Sequence, residues 1–424
     1  MMRRVLKVVT WVAVLLMGML ALLTGWFLTL PTLPSDVYDV LGSPSVDGLY
    51  AASADSAQAW AQAVARDLGL PSVSLAVGVD GEVVWALAFG LADIDDGIGA
   101  SVNTPYRIGS VSKAVTSVGL GRLVQDGRID LDAHVRTYVP TFPEKRWPVP
   151  VRLLAGHMGG VRHYTSGFGR TFLKETFNRE RYDSVIDALE IFEDDPLLYE
   201  PGTGFQYSTH GYTLLSAVLE SAAGQAYLAF MDQAVFAPLG MERTGPDDGT
   251  ATDPLPAVPL HMDKLIVPLL VQLGIPAKLL GTRYVRPPDA DPSYKWAGAG
   301  LLSTASDLVR MANALMSYEF LDSATVELLW APQRLRDGYM NPQRYGMGWR
   351  IDREAELLGL ADSVRVIHHG GSSPGGSAFL LLVPEADVAV AVLTNVNHLS
   401  QPGPMRLAAY RIAGEFVRAR EQIE

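Results

Sequence analysis

The longest apolar stretch of the chain lies near its N-terminus. Residues 8–30 contain no charged residue, whereas Arg3, Arg4 and Lys7 precede them. A run of this length is sufficient for a helix to span a bilayer, and the positive-inside rule leaves the N-terminus in the cytoplasm. The pattern predicts a signal anchor over residues 1–34, with a transmembrane helix over 8–30 and an exported remainder. A cleaved signal peptide is the alternative, but no small-residue cleavage site follows the run.

Periodic segments begin after a stalk predicted over residues 35–52. An Ala-rich amphipathic stretch from Ser53 to Leu70 predicts a helix. Two apolar runs, 72–79 and 82–90, surround Asp80-Gly81. Because Asp-Gly is a favoured two-residue turn between strands, these runs predict a β-hairpin.

The middle of the chain has a helical pattern, and its last third returns to strands. Pro-punctuated loops and helical segments occupy residues 131–292. Three strands and a C-terminal helix are predicted after them, over residues 345–351, 377–384, 386–395 and about 405–420. Strands at both ends of the chain predict an α/β part over about 53–130 and 293–424, with an all-α part, residues 131–292, inserted between them.

One insert, residues 255–280, is unusually apolar. A core-facing helix or a lid is the plainer interpretation. Contact with a membrane surface beside the anchor is the alternative, because exposed apolar area favours it.

Composition excludes several classes of function. The 424-residue chain carries a formal net charge of −12 and contains no cysteine. An acidic chain lacks the clustered Lys and Arg that phosphate binding requires, so nucleic acid is not expected as a partner. Without cysteine there are no disulfides, no thiol catalysis and no cysteine zinc sites. The length is ample for one large or two coupled domains.

Ser110 and Lys113 form the first candidate for catalysis. In a helix running from Ser110 to about Gln125, they stand one turn apart on one face. A serine hydroxyl needs a base to take its proton, and a lysine can be that base if burial and nearby positive charge lower its pKa. A solvated helix surface is the ordinary alternative. Gly109 permits a sharp entry into the helix, and no other lysine has a serine three residues before it.

Two further stretches carry candidate groups. Tyr207 lies on a loop that leads into a helix, and it could relay protons if a nearby ammonium favoured its phenolate. A packing tyrosine is the alternative. Residues 368–376 contain paired glycines that let a substrate approach the backbone, and a free strand edge there would supply N–H donors. A metal site at His368 and His369 is the other interpretation, but His-Glu-x-x-His is absent.

The order of these motifs resembles the serine beta-lactamase and penicillin-binding protein superfamily, class C branch. Ser-x-x-Lys at 110–113, a central tyrosine at 207 and His-x-Gly at 369–371 follow one another as in that family. Four other stretches of this chain, at 138–145, 195–198, 207–209 and 294–298, are similar to the mitochondrial serine beta-lactamase-like proteins of animals. Those proteins are a membrane-anchored, filament-forming group. The resemblance covers about residue 53 to the C-terminus and implies a beta-lactamase/transpeptidase-like fold, an antiparallel sheet flanked by helices.

The resemblance also implies roles for individual residues. Ser110 would be the acylated nucleophile, Lys113 its activating partner and Tyr207 the second member of the proton relay. His369, Gly370 and Gly371 would match the strand motif Lys/His-Thr-Gly of the family. The backbone N–H groups of Ser110 and Ser372 would form the oxyanion hole, and no metal or organic cofactor would be needed.

Thr209 departs from the family pattern. Most relatives have Asn two residues after the tyrosine, and Thr offers no amide that both donates and accepts towards a substrate amide. Efficient beta-lactam hydrolysis is therefore in doubt, although the animal mitochondrial group shares this Thr.

The sequence thus predicts a membrane-anchored, exported serine hydrolase that attacks an amide or ester carbonyl of a small-molecule or peptide substrate. Its predicted location is a bacterial inner membrane with the catalytic domain in the periplasm, or the mitochondrial intermembrane space if the source is eukaryotic. Peptidase, carboxylesterase and beta-lactamase remain open. The alternative is a scaffold on the same fold, a homo-oligomer or filament that needs no turnover.

Overall fold

The computed structural model describes residues 2–30, 32–34, 36–39, 46, 48–165, 175, 178–248, 284, 290–396 and 403–422. The apolar insert at 255–280 lies outside the described residues. The described helices are α1 (Met2–Thr29), α2 (Ala51–Leu68), α3 (Ser112–Gln125), α4 (Val151–Ala155), α5 (Thr209–Ala223), α6 (Tyr227–Met231), α7 (Trp296–Ala299), α8 (Ala305–Met316), α9 (Ser323–Trp330) and α10 (Gly403–Glu421). The strands are β1 (Ser72–Val79), β2 (Glu82–Asp93), β3 (Ile98–Gly99), β4 (Tyr106–Arg107), β5 (Gly245–Pro246), β6 (Leu301–Ser303), β7 (Arg350–Glu354), β8 (Val364–Ser373), β9 (Gly376–Val383) and β10 (Val388–Thr394).

Strands from both ends of the chain form one seven-stranded antiparallel sheet. Its order is β3-β2-β1-β10-β9-β8-β7, so the N-terminal hairpin pairs with the last strand. A second sheet, β4-β6-β5, is short. The predicted combination of an antiparallel sheet with helices is confirmed, and the N-terminal hairpin turns at Asp80-Gly81 as predicted. The division into an α/β part and an inserted helical part stays a prediction.

The central strands are buried on both faces because helices cover each side. In β10, Val388, Val390 and Val392 pack into the hydrophobic cluster formed with α2 and α10. The intervening residues Ala389 and Ala391 pack into the other cluster, which contains α3, α5 and α8. The alternation follows from the two-residue repeat of a strand. The large apolar side chains lie on one face, and the small ones admit α8 closely on the other.

The N-terminal helix α1 extends through the segment where an anchor is predicted. Trp11, Leu15, Met17 and Leu22 are each more than half exposed. Among the described residues, no single helix combines the length and apolar character needed to cross a bilayer. One bent pair, Thr209–Ala223 with Tyr227–Phe236, meets that requirement by length and composition. The transmembrane assignment of residues 8–30 stays a prediction.

One strand boundary predicted from the sequence is wrong. The strand expected over residues 345–351 begins only at Arg350, because the chain before it turns at Gly348, whose φ is +92°. The stretch 368–373 belongs to β8, which pairs with β7 on one side and β9 on the other. Glycines have low strand propensity, but tertiary pairing overrides it here.

The glycines of β8 serve a close approach between two pieces of this chain. A Cβ on Gly371 would lie 1.9 Å from the carbonyl oxygen of Ile108, and one on Gly109 would lie 2.6 Å from the amide nitrogen of Ser372. Gly109 also has a φ of +50°, a conformation that costs a glycine little. The sequence predicted that these glycines admit a substrate. At Gly371 the neighbour is instead the 3₁₀ turn Gly109–Val111.

Gly371→Ala should therefore destabilise the protein by about 1–3 kcal/mol, the usual cost of overpacking a well-packed contact. Urea denaturation measures the change in the free energy of unfolding. Gly99→Ala is the matched control, since no atom lies within 4 Å of a Cβ built there. Equal stability of the two variants would contradict this account of the junction.

Candidate active site

Ser110 lies in the 3₁₀ turn that leads directly into α3. Its side chain is partly exposed, whereas Lys113, one turn further on, is fully buried. The Lys113 Nζ atom lies 3.4 Å from the Ser110 Oγ atom. The structure therefore places the two residues as the sequence predicted, with the hydroxyl accessible and the amine beneath it.

The Lys113 amine has three oxygen neighbours. Its Nζ lies 2.6 Å from the carbonyl oxygen of Gly298 and 3.2 Å from Thr209 Oγ1, besides the contact with Ser110. An uncharged amine has two N–H donors and one lone pair. If the donors go to Gly298 and Thr209, the lone pair remains for the proton of the Ser110 hydroxyl.

Burial favours the uncharged form of this amine. Desolvation lowers the pKa of Lys113 well below its usual value, and the positive charges of Arg350 and Lys295 lower it further. No described carboxylate forms an ion pair with Lys113. These are the two causes, burial and nearby positive charge, that a lysine needs to act as a base near neutral pH.

Tyr207 completes the contact with the serine. Lys113 Nζ lies 4.7 Å from the centre of the Tyr207 ring, and the Tyr207 hydroxyl is near enough to Ser110 to interact with it. Burial raises the pKa of Tyr207, although Arg350 and the interaction with Ser110 act in the opposite direction. The suggestion that a cation makes this residue a phenolate is therefore not supported. The neutral phenol is the form to expect.

His369 lies on the sheet side of the site and is fully buried. Its Nδ1 lies 2.7 Å from the carbonyl oxygen of Gly370, so this nitrogen must carry the proton and donate. Its Nε2 is then free to accept from the Tyr345 hydroxyl at 3.0 Å. Burial lowers the pKa of His369 well below its usual value, and Arg350 and Lys113 add to the effect. The imidazole is uncharged.

The neighbours of strand β8 change after His368. It pairs with β7 only as far as His368, while its pairing with β9 continues to Ser373. Among the described residues, the other edge beyond His368 faces the turn that carries Ser110. Gly370 is half-buried and Ser372 is exposed. Beyond His368, strand β8 therefore runs next to the turn that carries the candidate nucleophile.

The two adjacent histidines of β8 do not converge on a common ligand. Successive residues of a strand point to opposite faces. The Nε2 atom of His368 lies 2.9 Å from Asp352 Oδ2, within hydrogen-bonding distance, and the ring of His368 stacks on Phe379. His369 instead faces Tyr207 and Tyr345. No group of three His, Asp or Glu side chains that could hold a metal ion occurs in the described part of the chain.

Three contributors to the site were missed by the sequence analysis. Arg350 lies 5.4 Å from the centre of the Tyr207 ring and 5.5 Å from that of Tyr345. Gly298 supplies a carbonyl to the lysine, and Lys295 acts on it through charge. Only the similarity of the stretch 294–298 to relatives drew attention to that segment. No local pattern marks a residue that enters a site from a neighbouring element.

Lys113→Met should stabilise the protein at neutral pH. The folded-state pKa of Lys113 is lowered. Between that pKa and the ordinary lysine pKa, the unfolded chain binds a proton that the folded chain does not. The free energy of unfolding of the wild type therefore rises with pH over this range. The stability advantage of the variant should therefore shrink between pH 7 and pH 10. Thermal midpoints measured across this range test it, with Ser110→Ala as the control. An advantage independent of pH would contradict an uncharged lysine.

Comparisons with known proteins agree with this geometry. The sequence profile of the Beta-lactamase family matches residues 57–415. The mitochondrial serine beta-lactamase-like protein LACTB of Homo sapiens is 28% identical over 422 residues, covering 81% of this chain and 74% of that protein. Esterase EstB of Burkholderia gladioli is 28% identical over 367 residues, covering 81% and 90%.

A solved structure shares the fold. The hydrolase EstCE1, described as having promiscuous acyltransferase activity, superposes with a TM-score of 0.70 at 22% sequence identity, covering 85% of this chain and 98% of that one. The family profile spans more than half of the chain and includes both Ser110 and His369. The chain belongs to the beta-lactamase family of serine hydrolases.

Proposed function

We propose that this protein is a membrane-anchored, exported serine hydrolase that cleaves an amide or ester bond through an acyl-enzyme on Ser110. One observation carries the proposal. A partly exposed serine hydroxyl contacts a fully buried lysine amine that has no carboxylate partner among the described residues, and a tyrosine from another part of the chain lies next to both. This is the arrangement of an activated nucleophile.

The proposed reaction has two halves. The Ser110 oxygen attacks the carbonyl carbon of the substrate while the lone pair of Lys113 takes the hydroxyl proton. The bond between the carbonyl carbon and the amine nitrogen or alcohol oxygen then breaks, and this leaving group takes up a proton delivered through Tyr207. Water then attacks the acyl-enzyme, its proton passes to the same pair, and the acid is released with Ser110 restored.

The tetrahedral oxygen needs donors close to Ser110. We assign this role to the backbone N–H groups of Ser110 and Ser372. The close approach of Gly109 to Ser372, and of Gly371 to the amide nitrogen of Ser110, supports this assignment. Removing one donor of this kind costs about 3 kcal/mol of transition-state stabilisation in other hydrolases.

The substrate is proposed only as a class. One relative is named an esterase and another a beta-lactamase-like protein, so a carbonyl of the ester or amide type is the common element. Thr209, predicted to face the substrate, contacts the Lys113 amine through its hydroxyl. We therefore propose that Thr209 hydrogen-bonds to the lysine and not to the amide of the substrate. Beta-lactam turnover should then be poor.

Anchoring is supported by the uncharged segment 8–30 within α1 and by its exposed apolar side chains. Periplasmic display from a bacterial inner membrane is the proposed location. The relative from Homo sapiens is mitochondrial by name, which supports the intermembrane-space alternative for a eukaryotic source. A filament or other homo-oligomer without turnover remains the second candidate, and it predicts that Ser110 is dispensable.

Ser110→Ala should abolish covalent labelling by a fluorophosphonate probe and lower ester hydrolysis at least about 10³-fold, because the atom that forms the acyl bond is gone. In-gel fluorescence and mass of the labelled peptide measure the result. Ser317→Ala, on the exposed end of α8, should label like the wild type. Labelling that survives the loss of Ser110 would remove the assignment. Full cellular function of Ser110→Ala would favour the scaffold.

Arginine substitutions within the predicted span test the anchor. The double variant Leu15→Arg with Leu22→Arg should be released from membranes by alkaline carbonate, because each arginine near the centre of a span costs about 2.5–3.5 kcal/mol. The wild type should resist extraction. Leu198→Arg, at another exposed leucine, is the control. Carbonate release of the wild type would refute the anchor.

A further inference from the structure

Two histidines accept hydrogen bonds from consecutive backbone amides where α5 begins. His157 Nδ1 accepts from the Ser208 N–H at 3.2 Å, and His163 Nδ1 accepts from the Thr209 N–H at 3.1 Å. A backbone amide can only donate, so neither Nδ1 atom carries a proton in this arrangement. Both imidazoles therefore act as uncharged acceptors.

The rings of both histidines lie next to the ring of Tyr207. The centre of the Tyr207 ring is 4.3 Å from that of His157 and 5.8 Å from that of His163, which meets it edge-on. The residue that His163 holds through its amide, Thr209, contacts the Lys113 amine with its hydroxyl. The hydrogen bond to His163 therefore helps to hold the loop that presents both Tyr207 and Thr209 to the lysine.

We propose that His163 is a positioning residue that fixes Tyr207 and Thr209 against Lys113 without adding a negative charge beside the amine. The proposal rests on the proposed function for its kinetic readout. Position 163 then requires a hydrogen-bond acceptor that carries no charge.

The requirement follows from the neighbourhood. Free N–H groups at the start of a helix are commonly capped by side-chain oxygens, those of Asp among them. A carboxylate at this point would favour the ammonium form of Lys113 and remove the base. Imidazole accepts the same hydrogen bond uncharged. Burial lowers the pKa of His163 to about 3, so the ring stays neutral at physiological pH.

Several other charges face these two groups. His163 is faced by Lys113 from α3, by His210 from α5, and by Glu175 and Arg162. Glu175 is paired with Arg162 at 2.8 Å, which offsets its negative charge. Lys113 is faced in addition by Arg350 and Lys295. All are present in every variant below, so a difference between variants reports on position 163.

Three substitutions separate the elements of the proposal. His163→Asn keeps a neutral acceptor, since its Oδ1 can occupy the place of Nδ1. His163→Asp keeps the acceptor and adds a charge. His163→Leu removes the acceptor. The measurement is the second-order rate of fluorophosphonate labelling of Ser110 in the full chain between pH 5 and pH 10.

His163→Asn should label within about threefold of the wild type with the same pH midpoint. His163→Asp should shift the acid limb upward by about one pH unit, because a negative charge raises the pKa of Lys113 and a higher pH is needed to deprotonate it. His163→Leu should label at least about tenfold more slowly at every pH, with an unchanged midpoint.

A matched control is available at His134. Its Nδ1 also accepts from a backbone amide, that of Arg136 at 2.9 Å, but its pKa is lowered by burial and by Arg136 rather than by Lys113. His134→Asp should leave the midpoint where it is. Equal rates for the Asn and Leu variants, or no shift in His163→Asp, would overturn the proposal.

A readout independent of catalysis keeps the two proposals separate. The ¹⁵N spectrum of histidine-labelled protein, assigned with His163→Asn, should show His163 as the tautomer protonated at Nε2 from pH 5 to pH 8. A charged ring or the other tautomer would contradict the positioning role even if Ser110 reacts. The expected tautomer in a protein that no probe labels would instead refute the proposed function and leave the hydrogen bond intact.

Discussion

The structure depends on a lysine amine that is fully buried and has no carboxylate ion pair among the described residues. Burying an ammonium is costly unless a counter-ion accompanies it, and the group commonly gives up its proton instead. The described surroundings of Lys113 supply a carbonyl, two hydroxyls and two positive charges, but no carboxylate ion pair. Burial and the two positive charges favour the uncharged amine, and only that form has a lone pair for the Ser110 proton. The stability lost in burying this amine is the cost of having a base next to the serine.

The fold brings four separate parts of the chain to that amine. The antiparallel sheet places β8 beside the turn that carries Ser110, and glycines on both elements allow backbone to touch backbone. On the opposite side, the loop before α5 presents Tyr207 and Thr209, while α7 provides the carbonyl of Gly298. Burial lowers the pKa of His369 and so favours its neutral ring, while Arg350 on the adjacent strand brings a positive charge near the tyrosine.

The sequence predicted the elements whose signal is local. The apolar alternation around Asp80-Gly81 predicted the hairpin, and the Ser-x-x-Lys spacing predicted the pair one turn apart. The order of the motifs supplied Tyr207 and His369, although no local pattern shows that they meet. Arg350 and His163 could not be predicted, because their roles arise only when β7 and the loop near residue 160 pack against Tyr207. The length of strand β8 and the close approach of its glycines to the turn at Ser110 could not be predicted, since they depend on pairing with β7 and β9.

The protonation state of Lys113 is the most direct test of this account. Protein labelled with ¹³C at lysine Cε can be titrated by NMR from pH 6 to pH 11, with the Lys113 resonance assigned by its absence in Lys113→Met. The account predicts that this resonance titrates well below the ordinary lysine pKa of about 10.4. A Lys113 resonance that titrates together with those of solvent-exposed lysines would contradict it.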